Sequence, residues 1–200
     1  RLIRENRIEA YSWPIGASMH WLREVARKGP GYLTRIGLGT YADPRQHGGK
    51  LTNRCSEDLI KLVEFEGEEY LFYPTRKLDV GIIRATSADE FGNLSFEGEA
   101  LMSSSLAIAL AVKACGGRVI AQVQRTTERR TRAVQEVKIP GVLVDHVVVD
   151  PQQMMVTDTS FDAAYLGGQV PDYGRLQPLP MAPDKVVARR AAREVPRKTV

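Results

Sequence analysis

Cysteine is scarce in this chain of 200 residues: Cys55 and Cys115 are the only two. Neither has another Cys or a His at metal-ligand spacing, so the pattern offers no metal site and no disulfide framework. Two reduced thiols fit a cytoplasmic protein. No apolar run nears the ~20 residues that cross a bilayer, and the opening RLIRENRIEA has no apolar signal segment. That opening also lacks Met and turn chemistry, which points to a longer product. Reaction signatures are missing too. There is no GxSxG elbow with a matching Ser/His/Asp set, no GK[ST] after a glycine loop and no GxGxxG.

The charge balance is mild. A formal charge of +4 and a pI near 9.1 invite a nucleic-acid reading. The basic residues fall late, however, at Arg125, Arg129, Arg130, Arg132, Arg189, Arg190 and Arg193, with no aromatics interleaved. Platforms for nucleic acid pair cations with stacking rings, so that reading is set aside. Attraction of a smaller anion stays open.

Periodicity orders the rest. Residues 17–28 read as a helix through Leu22, Val25 and Ala26, with Ser18 as N-cap and Gly29-Pro30-Gly31 as the stop. A short strand, 32–36, runs into the loop GLGTYADPRQHGGK. Residues 59–73 alternate as a hairpin about Glu66-Gly67. LDVGIIRA (78–85) reads as a strand buried on both faces and ending in the polar loop TSADEFGN. A small-residue helix is expected over 99–115, closed by Gly116-Gly117. Further strands are expected at 118–123 and 141–150. This alternation predicts a mainly parallel sheet with helices on both faces. Residues 166–183 have linker composition, and Asp184 is placed to cap a last helix.

Several stretches carry candidate chemistry. In residues 37–50, Gly37 and Gly39 let backbone approach a ligand, while Asp43-Pro44 and Gly48-Gly49 are turn chemistry; pocket wall and shaped structural loop both stay open. His47 has no partner at close spacing, and His20, His47 and His146 read as surface or satisfied histidines. Asp89, Glu90, Glu97 and Glu99 follow a parallel strand, at the end where ligands bind in open sheets. Asp89 to Asn93 makes equal sense as a turn.

The stretches GLGTYADPRQHGGK (37–50), EGEEYLFYP (66–74), DVGIIRATSADEFGNLSFEGEA (79–100), AIALAVKACGGRVIAQVQ (107–124) and KIPGVLVDHVVVDP (138–151) together resemble the class I coenzyme A transferases, of the acetate, propionate and 3-oxoacid type. The resemblance implies an α/β fold: a three-layer α/β/α sandwich with a mainly parallel sheet, incomplete at the N-terminus. It places residues 1–165 as most of the first half, 166–183 as linker and 184–200 as the opening helix of a second domain. The implied reaction moves CoA between a short-chain acyl-CoA and a carboxylic acid through a glutamyl-CoA thioester. The nucleophilic Glu belongs to the second half of such proteins, so no residue of this chain is assigned a catalytic role. Gly37, Gly39 and Thr40 are expected to wall the substrate, with Asp89 and Asn93 shaping a neighbouring turn and Asp43 and Arg45 holding the loop. Many relatives carry a Gln before the glycine that precedes the first helix; here the residues are Trp13-Pro14-Ile15-Gly16. No cofactor is expected, coenzyme A being substrate. The expected partners are a second CoA-transferase half and further copies of the chain. Two other readings stand beside this one: a non-catalytic binding or assembly module of the same fold, and a sugar-phosphate isomerase, for which no acid/base set around a phosphate loop is evident.

Overall fold

In a computed structural model, residues 1–128, 133–155, 161–167, 174 and 177–196 are described. Arg129, Arg130 and Arg132 lie outside them, as does much of the expected linker. The chain divides into two compact units, Arg1–Asp162 and Ala163–Val200.

The first unit holds two sheets. Helix α1 (Ile15–Ala26) leads to strand β1 (Gly31–Thr34), and the hairpin strands β2 (Lys61–Phe65) and β3 (Glu68–Pro74) follow. These three strands make an antiparallel sheet of order β1-β3-β2. Phe65 pairs with Glu68, so the turn is the expected Glu66-Gly67, with φ of 52° and 80°. Both values are positive, as the right-handed twist of a two-residue hairpin requires. The hairpin therefore joins β1 rather than the parallel sheet.

The second sheet has the order β5-β4-β6-β7, with β4 Val80–Asp89, β5 Leu94–Ser95, β6 Arg118–Thr127 and β7 His146–Val149. Strands β4, β6 and β7 run parallel and β5 is antiparallel. Helix α2 (Ser105–Ala114) forms the β4–α2–β6 crossover. The fold is α/β, as the alternation of elements foretells.

Several expectations need correction. Ser18 does not cap α1; Pro14 holds that place, and Ser18 Oγ donates back to the Pro14 carbonyl at 3.3 Å. Asp184 falls inside the first turn of α3 (Pro183–Ala191), behind Pro183, which suits N1 because it has no N–H to lose. Helix α2 begins six residues later than expected, because the Glu99 side chain is drawn to Arg84 and Ser103 takes a positive φ of 49°. TSAD is strand, not loop: its backbone continues the β6 ladder as far as Asp89↔Thr127. At 141–143 there is a 3-10 turn, so β7 is shorter than expected.

Strand β4 is also not buried on both faces. Ile83 and Ala85 pack beneath α2 with Val112, Val119, Ala121 and Val123. On the opposite face Val80 is 55% and Ile82 73% exposed. Among the described residues of this unit, the helical layer lies on one face. A second core beneath α1 joins Trp21, Val25, Leu71 and Tyr73. Trp13 meets Trp21 and Tyr73 edge-on there, with ring centroids 5.5 and 5.1 Å apart. No described helix is long and apolar enough to cross a membrane.

Candidate functional site

The 37–50 loop is wound around one buried carboxylate. Asp43 is 1% exposed. Its Oδ2 accepts from Gly39 N–H and Arg45 Nη2, both at 2.8 Å, and its Oδ1 from the Arg45 backbone N–H at 3.0 Å and Nε at 3.1 Å. Hydrogen bonds from Arg45, set against the burial that opposes ionisation, hold this carboxyl well below the ordinary carboxylate range. Arg45 Nη1 then reaches Glu69 on β3 at 2.9 and 3.0 Å. So Asp43 and Arg45 tie the loop together, as expected from the sequence.

Gly37 is required where it stands. Its φ is +97°, and a Cβ would lie 2.8 Å from the Tyr73 hydroxyl and 3.1 Å from the Ala42 Cβ. Tyr73 is itself buried and donates to the Ile36 carbonyl at 3.0 Å; burial pushes its phenol up to about 12. Gly39, with φ +72°, faces open space. Thr40 is exposed, but its hydroxyl turns inward to the Gly37 carbonyl at 2.7 Å. The amides of Gly39 and Thr40 are both engaged within the loop. The loop therefore presents a shaped wall, not a ring of free donors, which argues against a phosphate cradle.

Asp89 and Asn93 belong to another cluster, at the carboxyl end of β4. Asp89 accepts from the N–H of Phe91 and of Asn93 at 2.9 Å and from Asn93 Nδ2 at 2.8 Å. Asn93 Oδ1 accepts from Gly141 N–H at 2.8 Å, which fastens this turn to the segment before β7. A Cβ on Gly141 would fall 1.8 Å from the Phe91 carbonyl oxygen, so glycine alone permits the approach.

The four acids that the sequence groups together part company. Glu97 accepts from Ser87 Oγ at 3.0 Å and Arg125 Nη2 at 2.6 Å. Glu99, its side chain 5% exposed, takes Arg84 Nη2 at 2.6 Å and Nε at 3.0 Å. Gln153 Nε2 donates to the other Glu99 oxygen at 2.7 Å and to the Ala85 carbonyl at 2.9 Å, while Gln122 Nε2 donates to Gln153 Oε1 at 3.1 Å. Arg84 also donates to the Met155 carbonyl. This network lies midway along β4 and β6, where Arg84 pairs with Gln122, on the face away from α2 and level with the end of β7. Sequence reasoning missed it because Arg84, Gln122 and Gln153 come from distant segments; the signal was an arginine inside an apolar strand. Among the histidines, His20 stacks on Tyr32 at 5.1 Å, and all three are exposed. No metal-binding cluster of His, Cys, Asp and Glu occurs among the described residues.

An α/β unit with a parallel β4–β6–β7 sheet, a glycine loop pinned by Asp and Arg, and a braced D-E-F-G-N turn define a recognisable class. The coenzyme A transferase family matches residues 1–150, and the chain belongs to that family. It is 43% identical over 197 residues to caffeate CoA-transferase of Acetobacterium woodii, covering 97% of this chain and 38% of that protein. A crystal structure of the acyl-CoA transferase YdiF of Escherichia coli O157:H7, in a thioester complex with CoA, superposes with a TM-score of 0.85 at 42% identity, covering 97% of this chain and 37% of that one. One subunit of the succinyl-CoA:3-ketoacid coenzyme A transferase of Helicobacter pylori strain J99 is 29% identical over 140 residues, 70% of this chain and 52% of that polypeptide. The chain thus spans less than two-fifths of the length of the first two relatives.

Proposed function

We propose that this chain is the substrate-walling part of a CoA-transferase that moves coenzyme A between a short-chain acyl-CoA and a carboxylic acid. Coenzyme A is a substrate in this reading, and no cofactor is invoked. A glutamate carboxylate attacks the acyl-CoA thioester, giving a mixed anhydride and CoA thiolate; the thiolate attacks the glutamyl carbonyl, expelling the original acid as its carboxylate and giving a glutamyl-CoA thioester; the second carboxylate then runs the two steps in reverse, leaving as its CoA thioester and freeing the glutamate. Covalent catalysis of this kind keeps the thioester energy from water. The nucleophile comes from polypeptide outside residues 1–200, in a second half or a separate chain. Gly37, Gly39 and Thr40 wall the acyl group, and Asp89 and Asn93 set the neighbouring turn. The observation that carries the reading is the pinned loop: Asp43 takes the Gly39 amide, the Gly37 carbonyl takes that of Thr40, and the Gly39 face is left open. Relatives named as CoA-transferases, one of them named as a single subunit of its enzyme, support both the reaction and the second half.

The test is chemical. The intact protein is incubated with an acyl-CoA, reduced with borohydride, and the modified carboxylate located by peptide mass. A label beyond residue 200 supports the proposal; a label on Glu97, Glu99 or any other residue of this chain sinks it. A protein that takes no label at all identifies the alternative, a non-catalytic module of the same fold.

A further inference from the structure

The segment leading into α1 touches both ends of the glycine loop. Ser12 N–H donates to the Gly49 carbonyl at 2.7 Å, and a Cβ on Gly16 would lie 3.6 Å from Ile36 Cδ1. The first turn of α1 therefore borders the loop. Ile15 and Met19, four positions apart on one helix face, are both exposed, Ile15 at 81%, and Ile36 is exposed beside them. The buried side of α1 is a different one, through Ala17, Trp21 and Val25, and none of the three belongs to the core beneath the helix. The charges beside this rim are matched. Arg35 is 3.4 Å from Glu68, Arg45 is held by Asp43 and Glu69, and Lys50 by Asp58 at 2.7 Å. His20 is stacked on Tyr32, and His47 lines a separate hollow with Pro44 and Asp58. The hydroxyls of Thr40 and Tyr73 are turned inward. Arg23, further along the same side of α1, starts ~10 Å beyond Gly16 at 1.5 Å per residue, past the reach of a four-carbon chain laid against Gly39.

Resting on the transferase reading above, we propose that the acyl group taken by this wall carries no second charge, and that Ile15 and Met19 are the residues that select it. The substrate class is then the unsubstituted short-chain monocarboxylic acids. A methyl end laid against Ile15, Met19 and Ile36 leaves water for apolar surface, which favours it. A carboxylate end laid there also leaves water, but it meets apolar side chains and cations that already have partners. A charge moved into such surroundings without a partner is strongly disfavoured. Discrimination here comes from what the rim withholds from the wrong acid as much as from what it offers the right one. Gly39 adds to it, because the open space at its Cβ position leaves room for the chain without supplying a polar side chain to meet a substituent.

The test compares two donors that differ by a methyl against a carboxylate. The intact protein is assayed for CoA transfer to acetate from butyryl-CoA and from succinyl-CoA. The kcat/KM is expected to be at least ~100-fold higher for butyryl-CoA. Ile15→Lys and Met19→Lys each place a cation on the exposed rim, and each is expected to move the ratio toward succinyl-CoA by ~10-fold or more. Leu101→Lys, at a site before α2 that is 80% exposed, is expected to leave the ratio as in the parent. Transfer from succinyl-CoA as fast as from butyryl-CoA overturns the proposal and leaves the transferase reading standing. A ratio that neither rim variant moves, or that Leu101→Lys moves as far, also overturns it, and assigns Ile15 and Met19 to contact with another part of the protein. Transfer from neither donor overturns the transferase reading and this inference with it.

Discussion

The glycine loop and the middle of the parallel sheet are both fixed by carboxylates, but they are built differently. Asp43 draws its partners from residues 39 and 45, within four positions of itself. Glu99 draws on Arg84 and Gln153, 15 and 54 positions away. The first arrangement closes as soon as the chain turns; the second forms only once β4, the segment before α2 and the segment after β7 have docked. A loop built locally can serve as a rigid wall, whereas a network built from afar reports on whether the whole sheet is in place.

The largest expected effect is at the sheet end. Gly141→Ala should lower stability by about 3 kcal/mol, because the new Cβ meets the Phe91 carbonyl and the Asn93–Gly141 hydrogen bond must open. A melting temperature within a degree or two of the parent would show that the two segments are not interlocked. Asp43→Asn should cost about 2 kcal/mol, through charge-assisted hydrogen bonds that a neutral amide cannot replace. It also carries a pH signature. The Asp43 carboxyl is depressed in the folded chain, so its contribution is full above the unfolded carboxylate value of about 4 and is lost as pH falls through the lower folded value. The variant should flatten the acid side of a stability-against-pH curve; parallel curves for variant and parent would contradict this. Glu99→Gln should cost about 1–2 kcal/mol, less because Arg84 is partly exposed and solvent replaces part of the loss. Urea titration decides, and an effect larger than that of Asp43→Asn would reverse the comparison. The smallest change is favourable. Glu66→Asn at the hairpin tip should add about 0.5 kcal/mol, since asparagine tolerates positive φ better; a loss of stability would show that the Glu66 side chain has a role of its own.

What could be read from sequence followed the same division. The hairpin about Glu66-Gly67, the crossover helix ended by Gly116 and the Asp43–Arg45 clamp were legible because their causes lie within a few residues. The full length of β4 was not. TSAD looks like loop chemistry, and only pairing with β5 and β6 makes it strand. The start of α2 was misplaced for a similar reason, since Glu99 has good helix propensity but is held by an arginine on another element. Nor could alternation show that Val80 and Ile82 stay exposed while Ile83 is buried, because an apolar strand reads alike whether one face is covered or two. At the candidate site, the glycines and Asn93 announced themselves by type. Gln153 did not, as a lone glutamine has no local signature.

One consequence lies with β7. It is the outermost strand of its sheet, all four of its residues are exposed, and its outer side faces no described strand. A border of that kind behaves like an unfinished seam. Crowding should make separate molecules stitch together along His146–Val149, and dilution should unpick them.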